Sequence, residues 1–130
     1  MALEPDKIDR SYQFGRLLAV MEKVERDAYD GSEGREPNAI RQQSVFCQRP
    51  MYTANNLEKQ LTQSYFPRLN PEKRTFYRNL LCRIMDNISR FPQENWNQPL
   101  TDSYLMGYYL QRAALYAQKT DMNREGSNDE

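Results

Sequence analysis

Apolar side chains in this chain recur three and four positions apart over most of its length, and no segment alternates apolar with polar residues long enough to make a strand. β-branched residues are scarce as well. The pattern predicts an all-α fold, a single helical bundle of about five helices, because stripes of this kind are buried only by packing against one another. Residues 1–10 read as a lead-in and residues 11–119 as the helical-bundle domain. Residues 120–130 read as a disordered acidic tail, since DMNREGSNDE at the end carries a single apolar side chain.

The first helix is expected over about residues 11–29, with Phe14, Leu17, Leu18, Met21, Val24 and Ala28 on one face. Glu22 and Arg26, four apart with the acid first, suit an exposed side, and a solvent face also accounts for Glu22 and Glu25. DGSEGREP, residues 30–37, breaks the chain. Pro37 or Asn38 then opens a short second helix to about Cys47, which Pro50 ends. A third helix is expected over residues 53–65, with Leu57 and Leu61 inward. Asn70-Pro71 marks the start of the fourth, since Asn caps and Pro suits the first turn. Its stripe of Phe76, Tyr77, Leu80, Leu81, Ile84, Met85, Ile88 and Phe91 covers about half the wheel and predicts the central core helix. Pro92 closes it, and Trp96 in the following loop is expected to cover an end of the core. A fifth helix begins at Leu100, Thr101 or Asp102 and continues to about Lys119. It leaves only a narrow polar strip containing Gln111 and Gln118, so it is either sandwiched in the core or covered by a partner.

The chain contains no histidine, which removes the commonest general base and the commonest metal ligand. Cys47 and Cys82 are too few for a zinc site and give no disulfide framework. A Gly-rich phosphate loop would need a strand before it, and there is none. The expectation is a protein that is not an enzyme and carries no metal or cofactor. Mean hydropathy is −0.96, yet nine Tyr, five Phe and one Trp supply the buriable surface that disordered chains lack. The N-terminus has no apolar segment of signal-peptide length, and the longest aliphatic run covers residues 17–21. A cytoplasmic protein with no membrane partner is therefore expected.

Eighteen basic residues balance 18 acidic ones, but the balance is a cancellation. Residues 1–36 hold nine acids and six bases, residues 37–120 eleven bases and five acids, and residues 121–130 one base and four acids. Thirteen of the bases are Arg, whose planar fork suits phosphate and stacks on bases. On the fourth helix Arg74 and Arg78 lie at one edge of the apolar stripe and Arg83 and Arg90 at the other, so they form no single stripe. Arg112 falls inside the apolar arc of the fifth helix, between Leu105, Tyr108, Leu115 and Tyr116. It must snorkel out, pair with a carboxylate, or meet something at an interface. The tyrosines of that helix have core-compatible spacing, which favours packing over base stacking.

Four strings in order, YQFGRLLAVMEKVERDA (12–28), RPMYTANNLEK (49–59), KRTFYRNLLCRIMD (73–86) and GYYLQR (107–112), resemble the C-terminal helical region of the type I-C CRISPR Cascade large subunit. In that system the region is also made as a separate small subunit, to which a chain with only this region is similar. The resemblance implies a non-catalytic helical-bundle subunit of an RNA-guided surveillance complex. Its partners would be the large subunit, the backbone subunits, further copies of itself, and the guide RNA–target DNA complex. Its contacts would fall mainly on the displaced non-target single strand, through phosphates rather than bases, because guide pairing supplies sequence specificity. Carried onto the matching strings, and with Lys23 beside Arg16 away from the apolar face, the nucleic-acid-binding candidates are Arg16, Lys23, Arg74, Arg78 and Arg112. The rival reading is a helical protein–protein adaptor in which Arg112 and the broad fifth helix dock a partner and no nucleic acid is touched.

Overall fold

The computed structural model describes residues 2–29 and 36–128, with side chains through Ala117. Among the described residues six α-helices follow one another: α1 (Arg10–Ala28), α2 (Asn38–Arg41), α3 (Gln43–Gln48), α4 (Pro50–Gln60), α5 (Pro71–Ser89) and α6 (Ser103–Asn128). No strand occurs among the described residues, so the all-α reading stands, with six helices where about five were expected. The expected second helix is divided at Gln42 into α2 and α3. Pro50, expected to end that helix, occupies the first turn of α4 and starts it three residues ahead of Thr53. It can do so because an N–H at that position would have no helical acceptor. Beyond α4 the chain widens into a π-turn over Leu61–Tyr65 and then tightens into a 3₁₀ turn over Phe66–Arg68. Asn70 caps α5 as expected, its side chain accepting from Lys73 N at 2.8 Å with Pro71 in the first turn. The two-glycine loop expected at residues 30–37 lies outside the described residues up to Arg35. The side chains of the expected acidic tail, 120–130, also lie outside them, while the α6 backbone continues to Asn128.

The central helix is α1, not α5 as its broad apolar stripe predicted. Every residue of α1 from Ser11 to Glu25 is buried, polar ones included. α5 buries one stripe, Tyr77, Leu80, Leu81, Ile84 and Ile88. The reason is the number of neighbours: α1 packs against α2, α4, α5, α6 and the turns after α4. A helix surrounded on all sides encloses its polar side chains along with Phe14, Leu17, Leu18, Val20 and Val24. Trp96 does pack against the core, its Nε1 donating to Phe91 O at 2.9 Å.

α1 and α6 start side by side and run parallel. Asp9 caps α1 by accepting from Tyr12 N at 3.1 Å, and the same Oδ1 accepts from Ser103 Oγ at 2.9 Å at the start of α6. Thr101 N donates to Ser11 Oγ, and the Arg10 guanidinium donates to the carbonyls of Gln98 and Pro99. From this anchor the helices approach through a reciprocal pair of glycines. A Cβ on Gly15 would stand 2.0 Å from Tyr104 O, and one on Gly107 2.0 Å from Tyr12 O. Only residues without a Cβ allow backbones so close. α5 runs the other way, its end reaching Gln13 through Asn87 and its start reaching Asp27 through Tyr77. The fifth expected helix is thus not sandwiched in the core of this chain: α6 buries Tyr108 and Leu115, while Leu105, Met106, Tyr109 and Tyr116 are exposed, Tyr109 to 57%.

Candidate nucleic-acid interface

The five candidate residues do not form one surface. Arg16 is 3% exposed and Lys23 4%, which corrects the expectation that both lie away from the packed side of α1. The cause is α6, which the Gly15 contact brings down on that side. Arg16 donates from Nε to Gln111 Oε1 at 2.9 Å, and from Nη1 to Pro5 O at 2.6 Å and Gln13 Oε1 at 2.8 Å. Burial lowers the pKa of its guanidinium; the charges of Tyr12 and Asp6 work against this and that of Arg83 adds to it. Lys23 donates to Asp27 Oδ1 at 2.5 Å and lies 5.0 Å from the centre of the Tyr116 ring. Arg112 approaches the same ring from 5.4 Å, half-buried, with Nε lacking a hydrogen-bond partner among the described residues. Arg74 closes the turn before α5, donating from Nε to Phe66 O at 3.1 Å and from Nη2 to Leu69 O at 3.0 Å. Arg78 is exposed, its guanidinium 5.1 Å from the centre of the Phe66 ring.

Three polar groups along α1 account for the buried charges from Glu22 onward. Asp27 accepts from Lys23 and, at 2.5 Å, from Tyr77 OH, with Lys73 Nζ 3.9 Å away. Burial pushes the Asp27 carboxyl up, but hydrogen bonds from Lys23 and Tyr77 and the charges of Lys23 and Lys73 outweigh it and hold it below the usual carboxylate range. Burial, followed by the hydrogen bond to Asp27 and its charge, raises the pKa of Tyr77. Glu22 accepts from Tyr108 OH and, at 2.9 Å, from Arg26 Nε. Burial and this carboxylate raise the pKa of Tyr108 in the same way. Both Glu25 oxygens accept from Asn38 N, at 2.8 and 2.9 Å, which holds the start of α2 against α1. The solvent-face expectation for Glu22 and Glu25 is therefore corrected: both are buried, Glu22 against Tyr108 of α6 as well as its helical neighbour Arg26, and Glu25 against the start of α2.

Three of the exposed cations, Arg68, Lys73 and Arg78, stand at the corner between the 3₁₀ turn and α5. Arg68 stands 4.1 Å over the Tyr29 ring, Arg78 lies over Phe66, and Lys73 is exposed between them in sequence, with Arg74 behind. Arg68 and Lys73 belong to the basic middle of the sequence, but nothing in their helical spacing joins them to Arg78. The Asn70-Pro71 helix start between them is the signal that could have done so. A groove of about 480 Å³ between the lead-in, α1, α5 and α6 is lined by Arg16, Arg83 and Arg90 together with Asp6 and Asp86.

Among the described residues no group of His, Cys, Asp or Glu side chains could hold a metal ion, and no helix is long and apolar enough to cross a membrane. Comparison with curated proteins finds no match. Residues 1–116, nearly the whole bundle, match the family of the CRISPR-associated protein (Cas_Csd1), and the chain belongs to that family.

Proposed function

We propose that this chain is a non-catalytic small subunit of a type I-C RNA-guided CRISPR surveillance complex. In this reading it packs against the large subunit, the backbone subunits and further copies of itself. It stabilises the R-loop by sequence-independent contacts to the displaced non-target strand. The observation that carries the reading is family membership across residues 1–116. The exposed corner of Arg68, Lys73 and Arg78 supports it, since a subunit that leaves base reading to the guide needs phosphate contacts and no more. Arg74 is set aside as a contact because its donors hold the carbonyls of Phe66 and Leu69.

The test is target-strand separation by the assembled complex carrying Arg68→Glu and Arg78→Glu. Strand separation should fall, and its salt dependence should weaken by roughly 0.7 in log–log slope for each lost phosphate contact. Unchanged R-loop formation by a folded, fully incorporated variant would remove the corner from the assignment. A second reading, a protein–protein adaptor without nucleic-acid contact, is favoured by one observation: Leu105, Met106 and Tyr109 are exposed together at the start of α6. For that reading, Met106→Asp and Tyr109→Asp should release the chain from the complex while the corner variant has no effect.

A further inference from the structure

We propose that the exposed face of α6 is covered by a helix of a different protein chain, which lays apolar side chains along it and sets a carboxylate on Arg112. This rests on the reading of the chain as a subunit of a larger complex, and names the chemistry of one contact within that complex. From Ser103 to Ala117 α6 carries a single charged residue, Arg112. At 100° per residue Leu105, Met106, Tyr109, Ala113, Tyr116 and Ala117 fall within one arc of about 120°, and all of them are exposed. The arc runs for about 18 Å along the axis, more than three turns. A helix side turned only to water carries charged side chains, and this arc carries none. Contiguous exposed apolar surface of this kind marks an interaction site.

Arg112 determines what the occupant must carry. It stands beside the arc, half-buried, with Nε shielded from solvent and without a hydrogen-bond partner among the described residues. Its guanidinium lies 5.4 Å from the centre of the Tyr116 ring, over which Lys23 also stands at 5.0 Å. The carboxylates around Lys23 and Tyr108 are already engaged: Asp27 accepts from Lys23 and Tyr77, and Glu22 from Arg26 and Tyr108. Arg112 therefore has no carboxylate among the described residues, and a planar donor fork at the edge of an apolar face is matched by Asp or Glu. A second copy meeting this face with its own would supply none, because the face holds no acid. An antiparallel pair centred on the arc would set the two Arg112 side chains side by side. A nucleic-acid strand would bring several phosphates to one cation and lay them over Leu105, Met106 and the alanines. A helix fits the relief instead. Ala113 and Ala117, four apart, leave a low row beside the raised Tyr109 and Tyr116, into which a ridge of side chains from another helix packs.

The experiment places the photo-crosslinker p-benzoylphenylalanine at Tyr109, in the full chain co-expressed with the other subunits of its complex, and reads the attached peptide by mass spectrometry. Crosslinks should fall on one segment of a different chain, with apolar residues three and four apart and an Asp or Glu within a turn of the attachment point. Arg112→Glu should lower the affinity of the chain for the complex at least roughly tenfold, as expected for loss of one charge-assisted hydrogen bond. A carboxylate-to-lysine change in the partner segment should restore it. Ala113→Arg, at an exposed position, should lower the affinity as well, without rescue by that lysine. Both variants are melted alone beforehand, and Ala113→Arg decides the matter if Arg112→Glu melts below the parent. In an assembled complex, crosslinks to a second copy or to nucleic acid, no crosslink at all, or parental incorporation of a folded variant would overturn this partner and leave the proposed function standing. A chain that enters no complex would overturn the proposed function, and this inference with it.

Discussion

Gly107→Ala should loosen the parallel seam between α1 and α6. The new methyl would stand 2.0 Å from Tyr12 O and 2.8 Å from Tyr12 C, both backbone atoms that cannot rotate away. Restoring even a tight contact at 3.0 Å requires the helices to part by about 1 Å, and a gap of that size forfeits a quarter to a half of each dispersion contact along the seam. Overpacking of this kind costs about 2 kcal/mol. The Arg16–Gln111 hydrogen bond, 2.9 Å long across the same seam, would stretch past bonding range, at about 2 kcal/mol for a charged donor. Alanine returns about 1 kcal/mol through its better helix propensity. The net is a loss of about 3 kcal/mol, to be read as a lower urea midpoint with an unchanged slope, and as a drop of roughly 10–15 °C in Tm for a domain of this length. Gly15→Ala should behave alike, and the double variant should lose less than the two together, because one separation accommodates both methyls. A Gly107→Ala protein as stable as the parent, or about 1 kcal/mol more stable, would refute the close approach.

Asp27→Ala leaves the buried Lys23 ammonium without its carboxylate and should destabilise by about 3–5 kcal/mol in the same denaturation assay. Because the Asp27 pKa is held below its unfolded value, its contribution is complete above about pH 4 and is lost as pH falls through the folded pKa. The acid limb of a stability–pH curve should therefore be shallower in Asp27→Asn than in the parent. The phenols of Tyr77 and Tyr108, raised by burial and by Asp27 and Glu22, contribute stability that is complete below about pH 10 and lost above it, as the unfolded chain ionises first. Ultraviolet titration at about pH 11 should leave both protonated in the native protein and ionised once it is unfolded. Arg78→Glu should change stability by no more than about 0.5 kcal/mol, since the side chain is exposed, so a loss of nucleic-acid binding in that variant would report the contact itself.

The helical class was legible because apolar spacing and the Asn70-Pro71 start are local properties. The central helix was not. The stripe on α5 is the wider on paper, yet α1 has more neighbours, and a wheel counts apolar residues rather than the elements packed against them. The same limit applies to the candidate cations. Arg16 and Lys23 read as solvent-facing because they stand away from the apolar face of α1, and the wheel cannot know that a second helix closes over that side. Arg74 and Arg78 stand one helical turn apart, but one ties down a turn and the other is exposed over the Phe66 ring.

By itself the sequence determined that the chain would be helical, where most helices begin, that its neutral charge conceals a basic middle, and, through four strings spread along it, its CRISPR-associated family. All of these rest on neighbours in the chain or on strings read in order. Which charges are struts and which are free was decided only by the tertiary structure. Gly15 and Gly107, 92 residues apart in the chain, bring two backbones together and place Gln111 on Arg16, Tyr108 on Glu22 and Tyr116 beside Lys23. Burial depends on what stands opposite in space, and a contact between distant segments has no local signature.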